Sequence, residues 1–275
     1  MDPRVDSDLD GSKTLCNYAF PAMTASIAQT LWDSRIALHI THPSSRIPFV
    51  ASVPRFSYLA LLLPRLSAFF RSTCSSFHFE DVQLRNLPVG LLVDLYRPSL
   101  PFRLTVSDGV TWDIGDTFLN CVKEADFIRN GNANQIMKMS KEHTTQLWNA
   151  VVDNDHASFR KVNTRLLSAP VALRHVPLRV YVPSAAGNGN GRAEGVAAEF
   201  KVVQSLVPAA GGDGRPRLLG QALKEMMPRL FPSSRDAVLA GVVLHGADVP
   251  FQAPLAELMR EAAYPDGWLC LVVTV

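Results

Sequence analysis

From Arg35 onward the chain alternates. Ile36, Leu38 and Ile40 are separated by Ala37, His39 and Thr41, the period of a strand with one buried face. Pro43 to Ser45 read as a turn and Phe49 to Val53 as the returning strand, ended by Pro54. The pattern then changes to helical spacing. Leu59, Leu62, Leu63, Leu66 and Phe70 share one side of a helix predicted from Ser57 to Arg71, and Pro64 is expected to kink or break it. Short strands follow at Phe77–Phe79 and Val82–Leu84. A short helix opens at Pro88 and carries Leu91, Leu92 and Leu95, and a last strand runs from Phe102 to Val106.

The same order recurs at the other end. Val176, Leu178, Val180 and Val182 alternate, a loop spans Ala185 to Gly195, and Phe200 to Val207 returns. A helix is predicted over Leu218 to Phe231, with Leu219, Leu223, Met226, Met227 and Leu230 apolar. A strand at Val242–His245, a short helix from Pro254 through Leu255 and Leu258, and a strand from Trp268 to Val275 complete the set. Strand, strand, helix, strand, strand, short helix, strand is the order of the β-grasp, or ubiquitin-like, fold: one sheet on one main helix. Leu59 to Phe70 parallels Leu219 to Phe231, Pro88 to Tyr96 parallels Pro254 to Ala262, and Phe102 to Val106 parallels Trp268 to Val272.

Between the two lies a helical stretch. Asp116 is expected to cap a helix through Asn130, stopped by Gly131. Ser140 is expected to cap a second, with Leu147, Trp148, Val151 and Val152 inward. Asp153 or Asn154 is expected to cap a third, with Phe159, Val162 and Leu166 inward. The fold class is therefore α+β. Residues 1–28 form a flexible extension, with a short helix predicted after Thr24 and running to Trp32. The rest divides into a ubiquitin-like unit over 29–107, a helix-rich unit over 116–168 and a second ubiquitin-like unit over 174–275.

Composition narrows the function. Of 275 residues 47% are hydrophobic and 19% charged, a folded chain rather than a disordered one. A net charge of +2 lacks the excess expected of a nucleic-acid binder. Arg4, Arg35, Arg46, Arg55, Arg65 and Arg71 enrich the first third; they read as scattered, solvated arginines, with membrane contact as the second reading. Cys16, Cys74, Cys121 and Cys270 form no CxxC pair, so neither zinc nor a redox motif is expected, and the reducing cytosol is the default compartment. The acidic start lacks the basic and apolar regions of a secretory signal, and Tyr58 to Phe70, the most apolar stretch, is too short to cross a bilayer. No nucleotide, nucleophile-elbow or zincin fingerprint is present, and no cofactor is expected.

On the helix predicted over 118–130, Phe118, Cys121, Val122 and Ala125 share a face, with Ile128 at its edge. Lys123 falls opposite, toward solvent. Leu119 and Phe127 sit four residues either side of it. They are either a docking surface or residues that pack under another part of the chain. Glu124 and Asp126 are acidic neighbours that favour the protonated amine, so the chain is poorly built to activate this lysine itself. Cys121 invites a thioester-relay reading with His143, but the wheel buries it, and a buried cysteine is usually inert.

Several strings, in order, resemble the autophagy protein 5 family. They are Pro54-Arg-Phe-Ser-Tyr-Leu, Pro88-Val-Gly-Leu-Leu-Val-Asp-Leu, Pro101-Phe-Arg-Leu-Thr-Val, Val122-Lys-Glu-Ala-Asp, Gln146-Leu-Trp, Val176-Pro-Leu-Arg-Val-Tyr, Leu219-Gly-Gln-Ala-Leu-Lys-Glu and Ala263-Tyr-Pro-Asp-Gly-Trp-Leu. The resemblance runs from about residue 30 to the end, and the strings between Ile128 and Ser140 point to plant members. It implies a non-catalytic autophagy scaffold. Lys123, the lysine of the Lys-Glu-Ala-Asp string, would be joined by an isopeptide bond to ubiquitin-like autophagy protein 12 through transient E2-like enzymes. The conjugate would bind coiled-coil autophagy protein 16 by a helix in a groove and promote lipidation of autophagy protein 8 on phosphatidylethanolamine. Its place would be the cytoplasm and, peripherally, the isolation membrane. A tandem ubiquitin-like adaptor without covalent attachment is the alternative. The chain departs from the family in a short Phe77–Pro88 segment, a short spacer at 107–116 and a low-complexity loop at 184–195.

Overall fold

The structure is a computed structural model and describes residues 26–109, 113–167, 173–184 and 199–275. The extension before residue 26 and most of the 184–195 loop lie outside these residues.

Helix α1 (Ile27–Asp33) begins where the Ser26 hydroxyl accepts the Gln29 N–H and carries Trp32 into the interior. The first sheet is built from β1 (Arg35–Thr41), β2 (Phe49–Pro54), β3 (Ser76–Phe79), β4 (Val82–Gln83) and β5 (Phe102–Ser107), in the order β2-β1-β5-β3-β4. β1 and β5 are parallel, and the other pairs are antiparallel. The predicted 57–71 helix divides as Pro64 requires. A 3₁₀ turn at Leu59–Leu62 gives way to α2 (Leu63–Phe70), where Pro64 occupies the first turn and loses no hydrogen bond. The short hairpin turns through Glu80, at φ 53°, and α3 (Val89–Tyr96) follows Pro88.

The central helices are α4 (Ile114–Asn130), α5 (Asn134–Met137), α6 (Lys141–Val152) and α7 (His156–Leu167). Three expectations are corrected here. Asp113, not Asp116, caps α4: its carboxylate accepts the Asp116 N–H at 3.0 Å. Asp155, not Asp153 or Asn154, caps α7 through the Ser158 N–H, because Asn154 takes the left-handed turn at φ 56°. Val152 points outward, and Ala150 fills its expected place. The one-turn helix α5 gave no periodic signal.

The second sheet has β6 (His175–Val176) and β7 (Leu178–Ser184) in place of one strand, divided at Pro177, and β8 (Glu199–Gln204) and β9 (Val207–Pro208) in place of one return. β6 and β9 form a separate pair. α8 (Leu219–Met226) stops well short of Phe231 because Pro228 disfavours the helical conformation at Met227, which sits at φ −143°. β10 (Gly241–Leu244), β11 (Ala247–Asp248), α9 (Leu255–Ala262) and β12 (Leu269–Thr274) complete a sheet of order β11-β10-β12-β7-β8, again with its first and last strands parallel. Read from its other edge this is the order of the first sheet, element for element.

Candidate functional site

The site is one turn of α4. Gly131 ends the helix in the left-handed region at φ 74°, its N–H donating to the Phe127 carbonyl at 2.7 Å. Phe118, Val122 and Ala125 anchor the inner face and are essentially inaccessible. Lys123 faces solvent, and its ammonium donates to Asn120 Oδ1 at 3.3 Å. Exposure alone does not single it out, since Lys138, Lys141, Lys161, Lys201 and Lys224 are exposed too.

The electrostatic surroundings differ from the expectation that Glu124 and Asp126 both bear on the lysine. Asp126 is fully buried: its two oxygens accept Asn130 Nδ2 at 2.7 Å and the Ile136 N–H at 3.0 Å, which locks α5 against α4. Glu124 is taken by Arg179 of β7 at 2.8 Å. Neither carboxylate pairs with Lys123. Consecutive helical residues point about 100° apart, which leaves Glu124 free to turn toward the second sheet.

Arg179 is the hinge pin of this arrangement. Its guanidinium lies over the Trp268 ring at 3.8 Å and also donates to Cys121 Sγ at 3.8 Å. Trp268 Nε1 in turn donates to the Cys121 carbonyl at 3.1 Å. The Lys123 turn is thus bound to the second ubiquitin-like unit by two hydrogen bonds and an ion pair.

Phe127 is 54% exposed, whereas Leu119 is half-buried and packs against the core, so the two residues expected to flank Lys123 differ. Phe127, Ile128, Gln204 and Trp268 line a shallow depression beside Lys123 and Glu124. Leu206, 59% exposed, lies two residues from Gln204. Arg179, Gln204 and Trp268 were not legible as site residues: they lie far along the chain, and no local spacing marks them.

Cys121 is half-buried rather than buried. Desolvation pushes its thiol pKa up, and the neighbouring Asp266 adds to this, the reverse of an activated nucleophile. The His143 ring is engaged by Ser140 Oγ at 2.9 Å and by Arg165 at 2.7 Å. Among the described residues no cluster of His, Cys, Asp and Glu has metal-binding geometry, and no helix is long and apolar enough to cross a membrane.

Three family models match the chain. "Autophagy protein ATG5, UblA domain" covers residues 31–108, the "alpha-helical bundle region" covers 113–169, and the "UblB domain" covers 175–273. Autophagy-related protein 5 of Gibberella zeae is 70% identical over 92% of this chain and all of its own length. Autophagy protein 5 of Chaetomium globosum is 60% identical over 98% of this chain and 97% of its own. Autophagy protein 5 of Aspergillus clavatus is 39% identical over 90% and 96%. These relatives are fungal, whereas the strings between Ile128 and Ser140 point to plant members. The crystal structure of Kluyveromyces marxianus Atg5 has the same fold, with a TM-score of 0.71 at 19% identity over 90% of this chain and 99% of that one.

Proposed function

The chain belongs to the autophagy protein 5 family and so to autophagy, and from that premise we propose that it is a non-catalytic scaffold that accepts ubiquitin-like autophagy protein 12 on Lys123. The observation that carries this reading is the seat of Lys123. Its amine stands in solvent without a carboxylate partner, on a helix turn fixed from behind, with an exposed aromatic ring one turn away.

Isopeptide formation needs the neutral amine to attack a thioester carbonyl, displacing the thiolate of the donor enzyme. An ordinary lysine has a pKa of about 10.4. Among the described residues no carboxylate pairs with Lys123 to take its proton, so in this reading the transient E2-like enzyme supplies the acceptor or the desolvation. The chain contributes position: a rigid helix, a reachable amine, and Phe127 beside it as a surface on which the attached protein rests. Leu119, one turn before Lys123, packs against the core instead. In this reading the conjugate binds autophagy protein 16 as a helix laid in a groove. It acts as an E3-like factor for lipidation of autophagy protein 8, and works in the cytoplasm and peripherally on the phosphatidylethanolamine-containing isolation membrane. No nucleic acid takes part.

Lys123→Arg keeps the charge and removes the nucleophile. A cell extract should show this chain shifted upward by one ubiquitin-like protein, and the shift should vanish in Lys123→Arg with the thermal transition unchanged. A shifted band that survives the substitution refutes the acceptor assignment. A parent chain that never shifts favours the non-covalent adaptor.

A further inference from the structure

Between Asp33 and Glu80 the sequence contains five arginines and not one carboxylate. The fold sorts those arginines. Arg35 donates to the Ser52 carbonyl at 2.6 Å, and Arg55 is paired with the buried Asp94 at 2.6 Å; both lie near the β1-start end of the sheet. Arg46 in the β1–β2 turn and Arg71 at the end of α2 are exposed toward the opposite end, and Arg65, exposed in the first turn of α2, reaches Phe49 beside that turn.

Apolar side chains stand among them. Ile47, at the tip of the turn, is 68% exposed, and Phe69 is 45% exposed. Phe69 meets Phe49 edge to face at 5.3 Å, and the Arg65 guanidinium lies 5.5 Å from the Phe49 ring centre. Turn and helix therefore form one surface. Asp108 after β5, a carboxylate at this end of the sheet, is held by the Ser75 hydroxyl at 2.9 Å and the Gly109 N–H at 3.1 Å, and Asp113, farther along the chain, caps α4. Glu80 and Asp81 turn the β3–β4 hairpin at the far end.

We propose that this end of the first ubiquitin-like unit docks on an anionic bilayer surface. Ile47 and Phe69 enter the headgroup boundary, and Arg46, Arg65 and Arg71 face lipid phosphates and carboxylates. Charge complementarity selects an anionic partner, and the apolar tip selects a lipid one. An exposed aliphatic side chain next to an arginine gains from the acyl boundary, whereas it offers nothing to a base edge and little to an acidic peptide. The inference deepens the peripheral membrane contact proposed above and names its surface; it does not depend on the isopeptide bond.

The test is co-sedimentation of the full, unconjugated chain with vesicles of phosphatidylcholine alone and with about one-fifth phosphatidylserine. Binding is expected only to the anionic vesicles. It should weaken about fivefold per arginine replaced by glutamine, and so about a hundredfold in Arg46→Gln/Arg65→Gln/Arg71→Gln. Ile47→Ser, in an exposed turn, should weaken it with an unchanged circular dichroism spectrum. Lys123→Arg should bind like the parent, which separates this proposal from the acceptor assignment. Equal binding to neutral vesicles, full binding by the triple variant, or no binding to either vesicle overturns it; the last outcome gives the patch to an acidic protein.

Discussion

The two ubiquitin-like units share strand order, hairpin register and an eight-residue helix opened by proline, yet they are buried differently. In the first, β5 alternates between Phe102, Leu104 and Val106 inside and Arg103, Thr105 and Ser107 toward solvent. In the second, β12 is buried on both faces from Leu269 to Val273. The first unit has a core of its own, from Ile36 through Leu66 to Val106, while Phe56, Tyr58, Leu91 and Leu95 belong to the larger core. That of the second is continuous with Phe118, Leu147 and Val162 of the helices and with Trp32 of α1, and α3 of the first unit touches β12. One topology thus serves two purposes. A unit whose central strand has a wet face keeps a surface to offer, and a unit whose central strand is dry on both faces holds its neighbours together.

The largest effect is expected where the units meet. Arg55 pairs with Asp94, and its Nε donates to Nδ1 of His245 in the β10–β11 turn at 3.3 Å. Arg55→Met strands Asp94, whose side chain is 2% exposed and whose pKa is already raised by burial, and should cost about 3–5 kcal/mol by denaturant titration. Asp94→Asn added to it should recover much of the loss. Core truncations come next. Leu271→Ala and Leu104→Ala should each cost about 2–5 kcal/mol. They should differ in reach: hydrogen exchange should rise in α4 and α6 as well as the second sheet for Leu271→Ala, and only across residues 35–107 for Leu104→Ala. Equal reach would erase the distinction between the two cores.

His245 supplies a pH test of the same junction. Burial lowers its pKa to about 4 from 6.5, so the folded chain keeps the ring neutral while the unfolded chain takes up a proton. Its contribution is complete above about pH 6.5 and is lost as pH falls toward about 4, roughly 3 kcal/mol in all. His245→Asn should flatten that limb of the stability curve relative to the parent. The smallest effect compares the two hairpin turns. Glu80 and His245 both sit at φ 53°. Glu80 is exposed, so Glu80→Gly should gain up to about 1 kcal/mol by relieving the left-handed strain. His245→Gly should lose stability, because the ring also donates to the Ala262 carbonyl at 2.8 Å.

Much of this contrast is written in the sequence. Alternation in Phe102–Ser107 against the near-unbroken apolar run Leu269–Val273 is legible residue by residue. The helix faces and the exposure of Lys123 follow from spacing alone. Caps are less legible where several acceptors compete: Asp113 and Asp116, or Asp153, Asn154 and Asp155, offer similar side chains, and backbone geometry chooses. The partners of the Lys123 turn are beyond local reading. That Glu124 meets Arg179 and Asp126 turns inward depends on which element packs against which face of α4.

The Lys123 turn is fastened to residues made much later on the ribosome: Glu124 and Arg179 are 55 positions apart, Cys121 and Trp268 are 147. A growing chain exposes the lysine long before Trp268 exists to brace it. The seat is complete only when the second sheet has closed, so the attachment proposed for Lys123, if it needs that seat, would also inspect the product, sparing half-made or misassembled copies.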